Sequence, residues 1–187
     1  MPPLIRHGTV HTDRWTLLRD AATPGDVPDT APAIVPLACW LAHRDSLRLR
    51  GGIGVWLAPR DDPYTLAADV ADLPLIAVDY PQFTDGRGYS IARLLREHLG
   101  FRGELRAIGD VQRDQLFALA ECGFDAFSVR PDRDATAALA GLDAYRGVYA
   151  PTARTPQPWF RRRRDPSASG ATLGEVPAVT AAPSRSD

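Results

Sequence analysis

An α/β protein built on a parallel sheet is the fold class this sequence predicts, on three observations. Between residues 53 and 145, apolar runs of strand length alternate four times with segments of helical periodicity. Each run opens into a loop rich in Asp, Arg, Gly or Pro, the punctuation expected where a strand turns into a helix. The chain has 187 residues and is 44% hydrophobic, which suits a single domain with a real core and a tail.

The elements follow in order. Residues 3–19 alternate apolar and polar around Gly8 and read as a hairpin. Residues 20–33 are a loop rich in Pro, Asp and Ala. Over 36–49, Leu37, Trp40, Leu41, Ala42 and Leu47 recur at helical spacing, so an amphipathic helix is expected there, stopping at Gly51–Gly52. The βα units come next. Strands are expected over 53–58, 75–78, 105–108 and 126–129, and helices over 63–71, 90–99, 111–122 and 134–145. Such alternation implies right-handed crossovers and a parallel sheet of about four βα units, either open or half of a (β/α)8 barrel. Residues 1–150 form the expected α/β domain. Residues 151–187, a Pro- and Arg-rich stretch without periodicity, form an expected mostly disordered tail, with Trp159 and Phe160 as candidates for docking on the domain.

Composition excludes several functions. Formal net charge is −1, which gives no support for nucleic-acid binding. All 22 basic residues are arginine. Without lysine there is no Schiff-base chemistry and no standard P-loop. Cys39 and Cys122 stand far apart, so neither a disulfide framework nor a zinc or iron–sulfur set is expected; Cys122 reads as a buried structural thiol. His7 and His11 on a hairpin face lack companion ligands, and His43 and His98 read as helix surface, so no metal is expected. No secretory signal and no apolar run of membrane-spanning length is visible, and a cytoplasmic location is the expectation.

Ligands in parallel sheets bind beyond the carboxyl ends of the strands. The four exits read APRDDP, VDYPQFTDGRGYS, GDVQRDQ and RPDRD, and each carries both Arg and Asp. Arginine suits bidentate oxyanion recognition, and glycine lets backbone approach a ligand. The candidate anion-binding residues are therefore Asp85, Gly86, Arg87, Gly88, Ser90, Gly109, Arg113, Gln115 and Arg130. Asp79 and Asp110 are the candidate acid/base groups. The structural alternatives are equally explicit. Asp62, Ser90, Asp110 and Asp134 suit helix caps, Asp85–Gly86 suits a turn, and Asp79 suits an ion pair with Arg87 or Arg113. Gly86-x-Gly88 is no dinucleotide fingerprint, because Ile91 occupies the third glycine position.

The stretches FTDGRGYS, RLLRE, GELRAIGDVQRDQLF and CGFDAFSVRP resemble a bacterial family of uncharacterised function. PLACWLAHRDSL, GIGVWLAP and the terminal Trp-Phe-Arg-Arg-Arg are similar to it as well, so the resemblance covers roughly 34–163. Its members are often encoded beside sirohaem sulfite reductase and labelled oxidoreductases of sulfite reduction. The resemblance implies an accessory protein of assimilatory sulfite reduction, with the reductase and a small oxyanion as partners. The chain has no haem, iron–sulfur, flavin or nicotinamide signature of its own, and no cofactor is expected. The alternative is an enzyme on a small phosphorylated or carboxylated metabolite, gripped by arginine and served by Asp79 or Asp110.

Overall fold

The computed structural model describes residues 3–29, 32–130, 132–143, 148–158 and 161. The expected docking of Trp159 and Phe160, and all but Arg161 of the chain after 158, lie outside these residues.

The chain opens with the expected hairpin, shorter than its sequence pattern. Strands β1 (Pro3–Arg6) and β2 (Thr9–Thr12) pair antiparallel. The two residues between them, His7 (φ 49°) and Gly8 (φ 73°), both take positive φ, as a two-residue turn matched to strand twist requires. Residues beyond Thr12 leave the hairpin and cross to the other edge of the sheet, where Thr16–Leu17 form β3. Strand β4 (Ala33–Pro36) then runs directly into helix α1 (Leu37–Ala42). The single helix expected over 36–49 is thus a strand end and two helices, broken at His43 before α2 (Arg44–Arg50).

Four further strands follow: β5 (Ile53–Leu57), β6 (Leu75–Tyr80), β7 (Glu104–Gly109) and β8 (Ala126–Phe127). Between them lie α3 (Arg87–Arg93), extended by a π-turn over Leu94–His98, and α4 (Leu116–Glu121). Helix α5 (Ala135–Ala138) follows β8. The helix expected over 63–71 is only a 3-10 turn over Pro63–Leu66, started by Pro63 and capped by Asp62.

The sheet has eight strands in the order β2-β1-β8-β7-β6-β5-β4-β3. From β3 to β8 all neighbours are parallel and lie in chain order; β1 joins β8 antiparallel. It is a curled half-barrel with six parallel strands, not the four expected.

Chain-order winding places the crossover helices on one face. The main core joins strand residues Val35, Val55, Leu57, Ile76, Val78, Leu105 and Ala107 to helix residues Trp40, Leu47, Ile91, Leu95, Leu116 and Leu119. The other, concave face receives no helix residue among those described. Its cluster is Ile34, Leu75, Ala77 and Ile108, covered by Trp15, Leu17 and Trp56.

Arg106 projects from β7 on this concave side, two residues from Ile108, and is only 2% exposed. It donates to Asp13 (2.8 Å) and twice to Glu104 (2.8 and 2.7 Å), and Glu104 also accepts from Arg6 (3.2 Å). Asp13 in turn accepts from the Trp15 backbone amide at 3.0 Å, so the ion pair seats the covering tryptophan. A second buried carboxylate, Asp69, accepts from Trp40 and pairs with Arg44 and Arg48, fixing α1 and α2.

Removing one partner from a buried ion cluster leaves uncompensated charge, which costs about 3–5 kcal/mol. Arg106→Met should therefore lower the thermal midpoint by roughly 10 °C in a calorimetric scan. An unchanged midpoint would show that Asp13 and Glu104 do not depend on it.

Candidate functional site

The parallel strands end on one rim, and the concave side of that rim is a cleft of about 470 Å³. Asp79, on β6, points into the concave face because Ala77 does and side chains alternate. It is 7% exposed and pairs with Arg19 at 2.9 Å, not with Arg87 or Arg113. Arg19 follows β3, and on a flat sheet β3 and β6 would stand about 14 Å apart. The contact across two intervening strands reflects the curl. Arg19 also lies 5.6 Å from the Trp56 ring centre, and its Nε and Nη1 have no acceptor among the described residues.

Gly109 and Asp110 form the neighbouring wall, and Arg130 closes it. A Cβ at Gly109 (φ 93°) would lie 2.7 Å from Asp79 Oδ1 and against the Tyr80 carbonyl, so only glycine fits there. Asp110 is not the helix cap; Gln112 precedes the 3-10 turn that opens α4. Asp110 instead binds three loops together. It accepts from the Phe83 amide (3.0 Å), Gln112 Nε2 (3.2 Å) and Arg130 (3.2 Å). Partial desolvation pushes its carboxyl up, but those hydrogen bonds and the Arg130 charge hold it net below its ordinary value. Arg130 also forks onto Asp132, which is 54% exposed.

The other expected residues are placed differently. Arg87, 52% exposed, clamps Asp85 two residues away and lies outside the cleft; this contact holds the Asp85 carboxyl low. Arg113 lines a separate groove with Asp114 and Arg133. Gly86 precedes α3, and Ser90 lies exposed within it instead of capping it. Gln115 is 5% exposed and serves the loops, donating to the Phe83 carbonyl and accepting from the Gln112 amide. Gly88 makes room for Tyr80, whose ring carbons would lie 2.5–2.9 Å from a Cβ there. The expected caps at Asp62 and Asp134 are present. Cys122 is half-buried, and Cys39 is the buried thiol.

The cleft residue that the strand-exit pattern did not point to is Arg19. Its signal was present, since the mostly apolar Trp15–Leu18, interrupted only by Thr16, is followed by Arg and Asp, like the other strand exits.

Among the described residues no three His, Cys, Asp or Glu side chains are grouped to hold a metal. No described helix is long and apolar enough to cross a membrane.

Two outcomes follow. Tyr80 is 1% exposed, and its hydroxyl finds no partner among the described residues. Burial raises its pKa far above the ordinary tyrosine value. Tyr80→Phe should stabilise the fold by about 1 kcal/mol in a denaturant titration, and a loss of that size would show a partner for the hydroxyl. Asp110 is lowered below 3.8, so its contribution is complete above that pH and is lost as pH falls through its lower native value. The stability gap between the wild type and Asp110→Asn should therefore narrow as the pH falls below 3.8. A gap that widens on acidification would contradict the assigned contacts.

Residues 54–160 match the sequence profile of a family described as bacterial protein of unknown function, DUF934. No curated protein matches the chain. The match spans more than half of the sequence and includes β6, β7 and β8 with every cleft residue except Arg19, and the chain belongs to this DUF934 family.

Proposed function

We propose that this protein is an accessory protein of assimilatory sulfite reduction that holds a small oxyanion, sulfite or a relative of it, between Arg19 and Arg130. The carrying observation is that Arg19 and Arg130 line one open cleft at the strand ends. Arg19 has donors to spare, since only Nη2 is engaged by Asp79. Arg130 is held from behind by Asp110, while its outer fork rests on the exposed Asp132, a contact that an incoming oxyanion can replace. The loops tied by Asp110 hold the geometry in advance of binding. The sulfur context rests on the resemblance to proteins encoded beside sirohaem sulfite reductase, which is the partner this reading implies.

A second reading, an enzyme on a phosphorylated or carboxylated metabolite, draws on Asp79 and Asp110 lining the same cleft. Asp110, held low by its hydrogen bonds and Arg130, would enter a reaction as a base, while Asp79 is paired with Arg19.

Calorimetric titration with sulfite tests the binding. Arg19→Ala and Arg130→Ala should each weaken it by roughly tenfold or more, the worth of a charged hydrogen bond, while Arg87→Ala leaves it unchanged. A strain deleted for the gene should grow poorly with sulfite as sulfur source and recover with the wild type but not with Arg19→Ala. Normal growth of the deletion strain would sink the accessory role.

A further inference from the structure

We propose a second ligand site, for an organic anion, on the concave face where the hairpin meets the Asp13–Trp15 segment. It is separate from the strand-exit cleft. Arg106, in the ion cluster bordering it, lies four residues before Asp110 along and just beyond β7, about 13 Å at strand rise.

The site is a cavity of about 490 Å³ walled by Leu4, Arg6, His11, Thr12, Arg14 and Trp15. That volume falls within the range of pockets for small metabolites.

Its polar inventory is one-sided. The carboxylate on its wall, Asp13, is consumed by Arg106 and the Trp15 amide, and Glu104 behind it is consumed by Arg106 and Arg6. What remains uncommitted is mainly donors. Arg6 spends only Nη1 on Glu104, and its Nη2 has no acceptor among the described residues. Arg14 is exposed, and its guanidinium has no acceptor among the described residues. The Trp15 indole N–H is likewise unclaimed, while the Thr12 hydroxyl can donate or accept. Counting the ion cluster, three guanidinium groups oppose two carboxylates, which leaves one net positive charge before His11 is considered. Donors without acceptors, in a field of that sign, select an oxyanion.

The other walls are apolar. Leu4 and the half-buried Trp15 offer an aliphatic and an aromatic surface beside the guanidinium groups. The ligand is accordingly a carboxylate or phosphate head on Arg6 and Arg14, carrying a flat apolar body against Trp15.

Calorimetric titration of the full chain with benzoate, phenyl phosphate and inorganic phosphate tests this. Benzoate or phenyl phosphate should bind saturably, and the stronger of the two identifies the head group. Arg14→Ala removes an exposed, unpartnered side chain and leaves the fold intact. It should weaken binding by at least about tenfold, whereas Arg130→Ala, in the other cleft, should not change it. Inorganic phosphate should bind more weakly than phenyl phosphate. No saturable binding up to about 10 mM would overturn the proposal, a range that covers weak metabolite affinities. Retention of binding in Arg14→Ala, or equal affinity for the bare phosphate, would overturn it as well. Loss in Arg130→Ala alone would assign the ligand to the strand-exit cleft instead.

Discussion

Six parallel strands laid side by side in chain order leave one sheet face without helices, and that exposed face is the constraint on which the structure turns. Right-handed crossovers can only stack helices on the other side. The concave face carries Ile34, Leu75, Ala77 and Ile108, all nearly inaccessible, so something must cover them. The chain uses its own segment between the hairpin and β3. Trp15 and Leu17 supply the apolar cover, and the Arg106–Asp13 ion pair pins the segment down. A buried ion pair contributes little net stability over an apolar substitute, but it specifies which segment lies where.

That same segment supplies half of the candidate site. Crossing the concave face brings the chain to β3, and β3 ends two residues before Arg19. The cover therefore delivers a guanidinium to the mouth of the half-barrel, where Asp79 receives it. On the facing wall, Asp110 and Gln115 hold the amide and the carbonyl of Phe83, so the long loop after β6 is fixed from both sides of one residue. Phe83 itself stays 38% exposed at the rim. Backbone fixed around an open cleft is the arrangement in which binding energy is not spent on ordering loops.

Much of this was legible in the sequence, and the losses have physical causes. The βα alternation from Ile53 onward was clear because β5, β6 and β7 are buried and read as apolar runs. Strands β3 and β4 were hidden. The first is only two residues long, and the second runs without a break into α1, so its pattern merged with the helix. Curl was illegible too, since it depends on how side chains fill the concave face. In the site, the strand-exit rule found Asp79, Gly109, Asp110 and Arg130. It could not foresee that Arg87 would be satisfied locally by Asp85, or that an arginine from β3 would take Asp79. Gly88 and Gly109, read from the sequence as points of ligand approach, answer a packing demand of Tyr80 and Asp79 that composition does not reveal.

The most direct test of the central claim is a crystal structure of the protein grown with selenite, whose anomalous scattering marks a sulfite-like anion. The account predicts one selenium peak in the strand-exit cleft, within hydrogen-bond reach of both Arg19 and Arg130, with Asp132 displaced from the Arg130 fork. A cleft left empty at saturating selenite, with the Arg130–Asp132 contact intact, would contradict it.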